Sequence, residues 1–272
     1  SITEINFAAF VGCTSITNLV ISDSVTNIGS YVFYGCSNLK SIRIPSSVEY
    51  IGGSAFSDCT GVTEIYYTDT DYIYPSFSYV GADGNGIELV IGKDVTRIPS
   101  YLFRSTNIKS VTFEDGSVCE TVGENGFSNC KNLESLKFPN SLLVVERNAF
   151  DGCTGLKSVV LSNKLTQIEA YTFEGCTSLE TVSGVPVTLE SIGAQAFANC
   201  TSLKTISYDG EYNEWRFIEK ATNWAENTCD FEVACAPSRG LLYEMSNDGS
   251  EFYISEFDKT MLPSELVNDE NK

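Results

Sequence analysis

The sequence predicts a parallel-sheet solenoid, one short unit coiling repeatedly along an axis, and three observations predict it. A phenylalanine recurs at Phe10, Phe33 and Phe56 in 23-residue steps, then at Phe103, Phe127, Phe150, Phe173 and Phe197 in steps of 23 or 24. Cysteine stands three places after that Phe at Cys13, Cys36, Cys59, Cys130, Cys153, Cys176 and Cys200. Apolar residues follow the cysteine at its third, sixth and eighth places, as in Leu39, Ile42 and Ile44 or Leu156, Val159 and Leu161. Self-similarity at a period of about 20 to 50 residues marks repeat architectures.

The sixth and eighth places form a period-two pair, so a short strand directs both side chains to one face. The residue between them points the other way: Val20, Arg43, Tyr66, Thr112, Lys137, Val160, Ser183 and Ser207. A turn rich in Pro, Ser and Asn follows, as at Pro45-Ser46-Ser47 and Pro139-Asn140-Ser141. A second inward pair comes next, such as Val48 with Ile51 or Leu165 with Ile168. Gly29, Gly52, Gly123 and Gly193 then mark the point where the chain bends back, and the Ala-Phe step closes the coil. No segment keeps a 3.6-residue period over three turns, so the side opposite the strands is expected to be turns and short extended pieces. The Phe103 unit is one residue shorter, and Ser105 is expected to replace its thiol. One coil has no core of its own; stacking aligns the Leu, Ile, Phe and Cys columns into a continuous one.

These residues carry a resemblance. The run Ile192-Gly193-Ala194-Gln195-Ala196-Phe197-Ala198-Asn199-Cys200-Thr201-Ser202-Leu203 resembles the hallmark Ile-Gly-x-x-Ala-Phe-x-x-Cys-x-x-Leu of the BspA-like (treponemal-type) bacterial leucine-rich repeats. The resemblance covers about three quarters of the chain. It departs at Gly126, at Glu146 and around Phe103. It implies a leucine-rich-repeat solenoid with a parallel concave β-sheet, a turn-rich convex side, about eight 23-residue repeats and a C-terminal cap. It further implies an extracellular protein of the bacterial cell surface that adheres to host extracellular proteins or to other cells.

The organisation expected is a solenoid over 1–208, with an irregular insertion at about 66–94, followed by a cap or extension over 209–272. The insertion gathers Tyr66, Tyr67, Tyr72, Tyr74, Phe77 and Tyr79. Tyrosine is over-used in binding surfaces, yet the rings equally suit a role as filler for the lengthened repeat. Asp69 and Asp71 hint at calcium, but Ile73 occupies the next ligand place, so no metal is expected. Beyond Tyr208, Tyr212 to Lys220 reads as one or two helical turns, with Trp215 and Trp224 as cap-core residues. Leu241 to Phe257 reads as a hairpin around Asp248-Gly249. Met261-Leu262-Pro263-Ser264 resembles the start of a further repeat, and the missing initiator Met and signal peptide fit an excised fragment.

Composition removes most chemistries. With 17 Lys+Arg against 36 Asp+Glu, the formal charge is −19, the wrong sign for nucleic acid or an electrostatic membrane anchor. Histidine is absent, which excludes Ser-His-Asp and Cys-His catalysis and a His-ligated zinc. No phosphate loop, nucleophile elbow or inward carboxylate pair occurs, so no catalytic residue and no cofactor are expected. Equal spacing marks the repeat cysteines as small buried hydrophobes rather than metal ligands. Cys119 stands outside that series, and Cys229 with Cys235 leaves a local disulfide open. The expectation is a non-enzymatic binding module that takes a protein or glycan ligand. The favoured contact residues are Arg43, Tyr66, Tyr67, Tyr72, Tyr74 and Tyr79. The alternatives are a passive spacer within a larger surface protein and carbohydrate binding through the Tyr-rich insertion.

Overall fold

Each coil contributes two short extended segments, and stacking turns them into two parallel ladders on opposite sides of the core. The computed structural model describes residues 2–68, 72–73, 77, 79–81, 84, 86–235, 242–245 and 252–254. The longer ladder is an 11-stranded sheet running from Ser41–Arg43 through Glu64–Tyr67, Ile87–Ile91, Ile108–Phe113, Ser135–Lys137, Ser158–Val160, Thr181–Val185 and Thr205–Tyr208 to Phe231–Ala234. Those strands pair in parallel; Leu242–Met245 and Phe252–Ile254 then close the edge antiparallel. The opposite side carries two-residue strands split between a four-stranded and a six-stranded sheet. The sole helix among the described residues is Tyr212–Phe217, held by a reciprocal capping box between Glu211 and Glu214.

The phenylalanines form one column. Rings of Phe10, Phe33, Phe56, Phe77, Phe103, Phe127, Phe150, Phe173 and Phe197 follow one another at 5.2–5.6 Å. Trp224 terminates the column edge-on at 5.9 Å. Phe77 lies inside the stretch expected to be an irregular insertion. The double-length step from Phe56 to Phe103 therefore contains a coil of its own, divided unevenly about Phe77, and its strand Ile87–Ile91 sits in the sheet between Glu64–Tyr67 and Ile108–Phe113. The coil lacks a cysteine three places after its Phe, where Val80 stands, which is why the sequence motif is lost. Residues 209–235 likewise continue both sheets, through Glu219–Lys220 and Phe231–Ala234. The tail with Met261 to Ser264 lies outside the described residues.

The cysteines serve a backbone role. Each thiol donates to the carbonyl of the Phe one coil earlier: Cys36 to Phe10, Cys59 to Phe33, Cys130 to Phe103, Cys153 to Phe127, Cys176 to Phe150 and Cys200 to Phe173, all at 3.1–3.3 Å. That carbonyl already accepts the amide of the Cys in its own coil, as Phe33 does from Cys36, so the thiol engages its second lone pair. In the Phe103 coil the stand-in is Thr106, not Ser105. Its hydroxyl donates to the Phe77 carbonyl at 3.1 Å, its residue is buried, and it sits three places after Phe103 like every cysteine. Ser105 is exposed, with a φ of 57°. Cys119 fills the column of Val48 and Leu142, and its carbonyl accepts Ser141 Oγ at 2.8 Å as that of Val25 accepts Ser47. All ten cysteines are free, Cys229 and Cys235 included.

Close approach between coils explains the glycines better than a bend does. A Cβ on Gly52 would lie 2.4 Å from the Ser30 amide nitrogen, and one on Gly123 2.7 Å from that of Ser100. Among the described residues, most non-glycine residues in the left-handed region fall two places before a column Phe, at Ala8, Tyr31, Ser54, Tyr101, Asn125, Asn148, Tyr171 and Gln195, and two places after one, at Asp58, Tyr79, Ser105, Asn129 and Asn199. A non-glycine residue there carries strain of about 1 kcal/mol or more.

Two outcomes follow from this packing. Phe150 is fully buried between two stacked rings, so Phe150→Ala should cost about 3–5 kcal/mol in a urea titration; a loss below about 1 kcal/mol contradicts the column. The second concerns alkaline pH. Burial pushes the thiols of Cys59, Cys153 and Cys200 up to about 12 from 9.0. A folded value above the unfolded one means stability that is complete below about pH 9 and lost as pH climbs toward 12. Each thiol contributes a slope of about 1.4 kcal/mol per pH unit. The half-buried Lys220 amine, lowered to about 8 by desolvation, opposes this as a single group. The urea midpoint should therefore hold up to about pH 9 and fall between about pH 9 and 12; an unchanged midpoint across that window refutes the thiol assignment.

Candidate functional site

The outer face of the 11-stranded sheet is where side chains differ most from coil to coil. Strand pairing places Arg43, Tyr66, Val90 and Thr112 in register, and Lys137, Val160 and Ser183 likewise. Between them and the core, Ile42, Ile65, Leu89, Val111, Leu136, Val159 and Val182 are buried. Five-residue alternation of charge flanks the face at Lys109, Glu134, Lys157, Glu180 and Lys204. Within this row Lys157 pairs with Glu134 at 3.4 Å and Lys204 with Glu180 at 2.7 Å. Both pairs are exposed to solvent and screened by salt, so they add little to stability.

Tyr66 is the centre of the face. The Arg43 guanidinium lies 4.0 Å from its ring centroid, a cation–π contact. Its hydroxyl crosses the next coil and donates to Glu114 Oε1 at 3.0 Å, while Glu114 Oε2 accepts the Lys93 amide at 2.9 Å. Gly92 leaves room for this crossing, since a Cβ there would meet the hydroxyl at 3.4 Å. Burial, followed by the bond to Glu114 and its charge, raises the Tyr66 pKa. Beside Glu114 opens a groove of about 480 Å³ with mixed lining, polar at Glu114, Asp115, Lys137 and Asn140 and apolar at Phe113 and Phe138. The groove owes its wall to a longer turn: five residues separate Phe113 from Cys119, where three separate Ile44 from Val48. That length difference was the signal in the sequence for Glu114 and the groove.

The structure brings two of the six expected contact residues together and separates the rest. Arg43 and Tyr66 stack on the outer face. Tyr67 does not belong with them. It is fully buried, its ring packs edge-on against Phe103 at 5.8 Å, and strand alternation turns it inward beside Tyr66. Tyr72 lies in the strand Tyr72–Ile73, which pairs with Tyr50–Ile51 on the opposite side of the coil. Tyr79 is 64% exposed, with a φ of 58°, in the turn two places after Phe77. Tyr74 lies outside the described residues. Trp215 and Trp224 are buried in the last coil, as cap-core residues should be. The described residues hold no group of three or more potential metal ligands, and none of their helices is long and apolar enough to cross a membrane.

A search among curated proteins found no match. Among solved structures, the chain is similar to a leucine rich cell surface protein from Faecalibacterium prausnitzii, at 26% identity and TM-score 0.48, covering 80% of this chain and 72% of that one. It is also similar to the leucine rich repeat protein of T. pallidum, at 24% identity and TM-score 0.48, covering 69% and 78% of the two chains. A leucine-rich repeat protein from Bacteroides ovatus aligns at 21% identity and TM-score 0.41, covering 90% and 80%. The model of the BspA type leucine rich repeat region matches six copies over residues 1–82 and 96–217. With the repeat model matched over most of its length, the chain belongs to the BspA-type leucine-rich repeat family.

Proposed function

We propose that the chain is a non-enzymatic binding module of the bacterial cell surface, which adheres to extracellular proteins of a host or of neighbouring cells. The observation that carries this reading is the contrast within each strand of the long sheet. The buried positions repeat one chemistry from coil to coil, while the outer column, Arg43, Tyr66, Val90, Thr112, Lys137, Val160 and Ser183, mixes cationic, aromatic, aliphatic and hydroxyl side chains. A scaffold under packing constraint on one side and free on the other is what a recognition surface requires. Membership of a family of repeat scaffolds supports the general class; the ligand is argued from this face alone.

Protein is favoured over glycan because the aromatic cluster that suited sugar stacking is dispersed. Tyr67 is core, and the Tyr66 ring is covered by Arg43. Arginine and tyrosine are enriched in the hot spots of protein interfaces. The chain's charge of −19 disfavours acidic partners and nucleic acid.

The test is binding of the purified chain to immobilised extracellular-matrix proteins and to a glycan panel, near 0.15 M salt. A saturable signal of about micromolar strength or tighter on a protein is expected, with Arg43→Ala and Tyr66→Ala each weakening it at least about tenfold. Glu134→Gln, in the flanking charge row, should leave it within about twofold. Binding that ignores both central substitutions removes this face as the site. Silence across the panel, from a folded chain, favours the spacer, and a signal on glycans alone favours carbohydrate recognition.

A further inference from the structure

We infer that the groove beside Glu114 receives a basic side chain, lysine or arginine, from the protein that binds this face. The inference rests on the binding role proposed above and gives the partner its chemistry. Two turns build the groove. Glu114, Asp115 and Gly116 form one wall, directly after Ile108–Phe113, and Lys137 with Asn140 forms the other, where Ser135–Lys137 ends. The volume of about 480 Å³ falls within the range of ligand pockets, about 300–1,000 Å³.

The first wall is fixed before any partner arrives. Glu114 donates its amide to the Ile91 carbonyl, the Ser117 amide returns to the Glu114 carbonyl, and the Val118 amide reaches the Lys93 carbonyl, each at 3.0 Å. The Glu114 carboxylate is held as well, by the Tyr66 hydroxyl at 3.0 Å and the Lys93 amide at 2.9 Å. Arg43 in turn covers the Tyr66 ring, 4.0 Å from its centroid. Arg43 supports Tyr66, Tyr66 supports Glu114, and the series ends at a carboxylate on the groove. Binding groups held in place in advance cost less ordering when a partner docks.

The charge on that wall is not neutralised. Both donors to Glu114, a phenol and a backbone amide, are uncharged. The ion pairs among the described residues lie elsewhere, at Arg97–Glu146, Lys157–Glu134 and Lys204–Glu180. Asp115 is exposed and pairs with no described residue. Lys137, on the opposite wall, pairs with neither carboxylate. Two anions on one wall and a cation kept from them on the other leave a gap that suits a charged occupant. A basic side chain fits it: the charged end meets Glu114 and Asp115, and the alkyl stem lies along Phe113 and Phe138. An acidic side chain could reach Lys137 only with both carboxylates facing it. An apolar one would strip water from charged groups without replacing it. The formal charge of −19 draws the same class of partner toward the chain.

Nuclear magnetic resonance titration of the full chain tests this with three capped amino acids: Nα-acetyl-arginine methylamide and its norleucine and glutamate analogues. The arginine probe should shift the amides of Asp115, Gly116 and Asn140 at concentrations at least about tenfold below the other two. Its binding should weaken as salt rises from about 0.05 to 0.5 M. Asp115→Asn and Glu114→Gln should each weaken it about threefold or more, and Lys137→Gln should tighten it about twofold. Tyr66→Phe, which removes the hydroxyl that holds Glu114, should weaken it less than Glu114→Gln does. Glu232→Gln, in Phe231–Ala234 at the far end of the sheet, should leave it unchanged. Equal shifts from the norleucine probe, or binding indifferent to Asp115→Asn, overturn the inference, and the exposed turn position of Asp115 keeps that variant folded.

The panel of matrix proteins separates the groove from the wider reading. A panel protein whose binding needs Arg43 and Tyr66 but tolerates both Asp115→Asn and Glu114→Gln overturns the groove and leaves the face. A silent panel with an arginine probe that still titrates the groove overturns the face and supports the groove's chemistry.

Discussion

No coil of this protein can bury its own apolar side, so every structural feature depends on the register between one coil and the next. The bond between Cys and the preceding Phe carbonyl shows how tightly that register is held. A backbone carbonyl inside a solenoid core has one lone pair directed along its own coil and one directed at its neighbour. The first is met by the amide of the residue three places on, and the second by a thiol at 3.1–3.3 Å from the following coil. A wholly apolar side chain would leave that lone pair without a donor, at a desolvation cost. Cysteine packs as a hydrophobe and donates weakly. Its burial pushes the thiol pKa far above the physiological range, so the column stays protonated and chemically quiet.

The same logic explains what could be read from the chain and what could not. Phe at 23-residue intervals and Cys three places later are legible because packing allows little else there, and the phase of the strands follows. Phe77 was hidden because its coil keeps the ring but replaces the thiol with Val80, and a motif weighted on both residues reads the stretch as an insertion. Thr106 was hidden by an off-by-one alignment. The hydroxyl that matters is the one at the cysteine's distance from Phe103, which the structure identifies through its bond to Phe77. The left-handed residues two places before each Phe were out of reach for another reason. Tyr31, Tyr101 and Tyr171 adopt φ of 58°, 62° and 62° against their own preference, because the stacked coils on either side fix the backbone. No local pattern announces a conformation imposed from outside the segment.

The candidate site divides in the same way. Arg43 and Tyr66 were legible as outward residues because strand alternation is local, and alternation also required Tyr67 to turn inward; grouping the tyrosines by density rather than by phase placed it wrongly on the surface. Glu114 is 48 residues from Tyr66 in sequence, and only the three-dimensional stack brings the two together. Their bond joins the third coil to the turn after the fifth across Gly92. The expected contact surface thus lies on the continuous long sheet.

A ligand seated on Arg43 and Tyr66 spans strands paired in unbroken parallel register. That pairing fixes the spacing and direction of the outward side chains, and the Tyr66–Glu114 bond ties the face to a turn two coils on. Recognition on this side therefore needs no rearrangement of the stack, because the constraint that fills the core also sets the geometry of the surface.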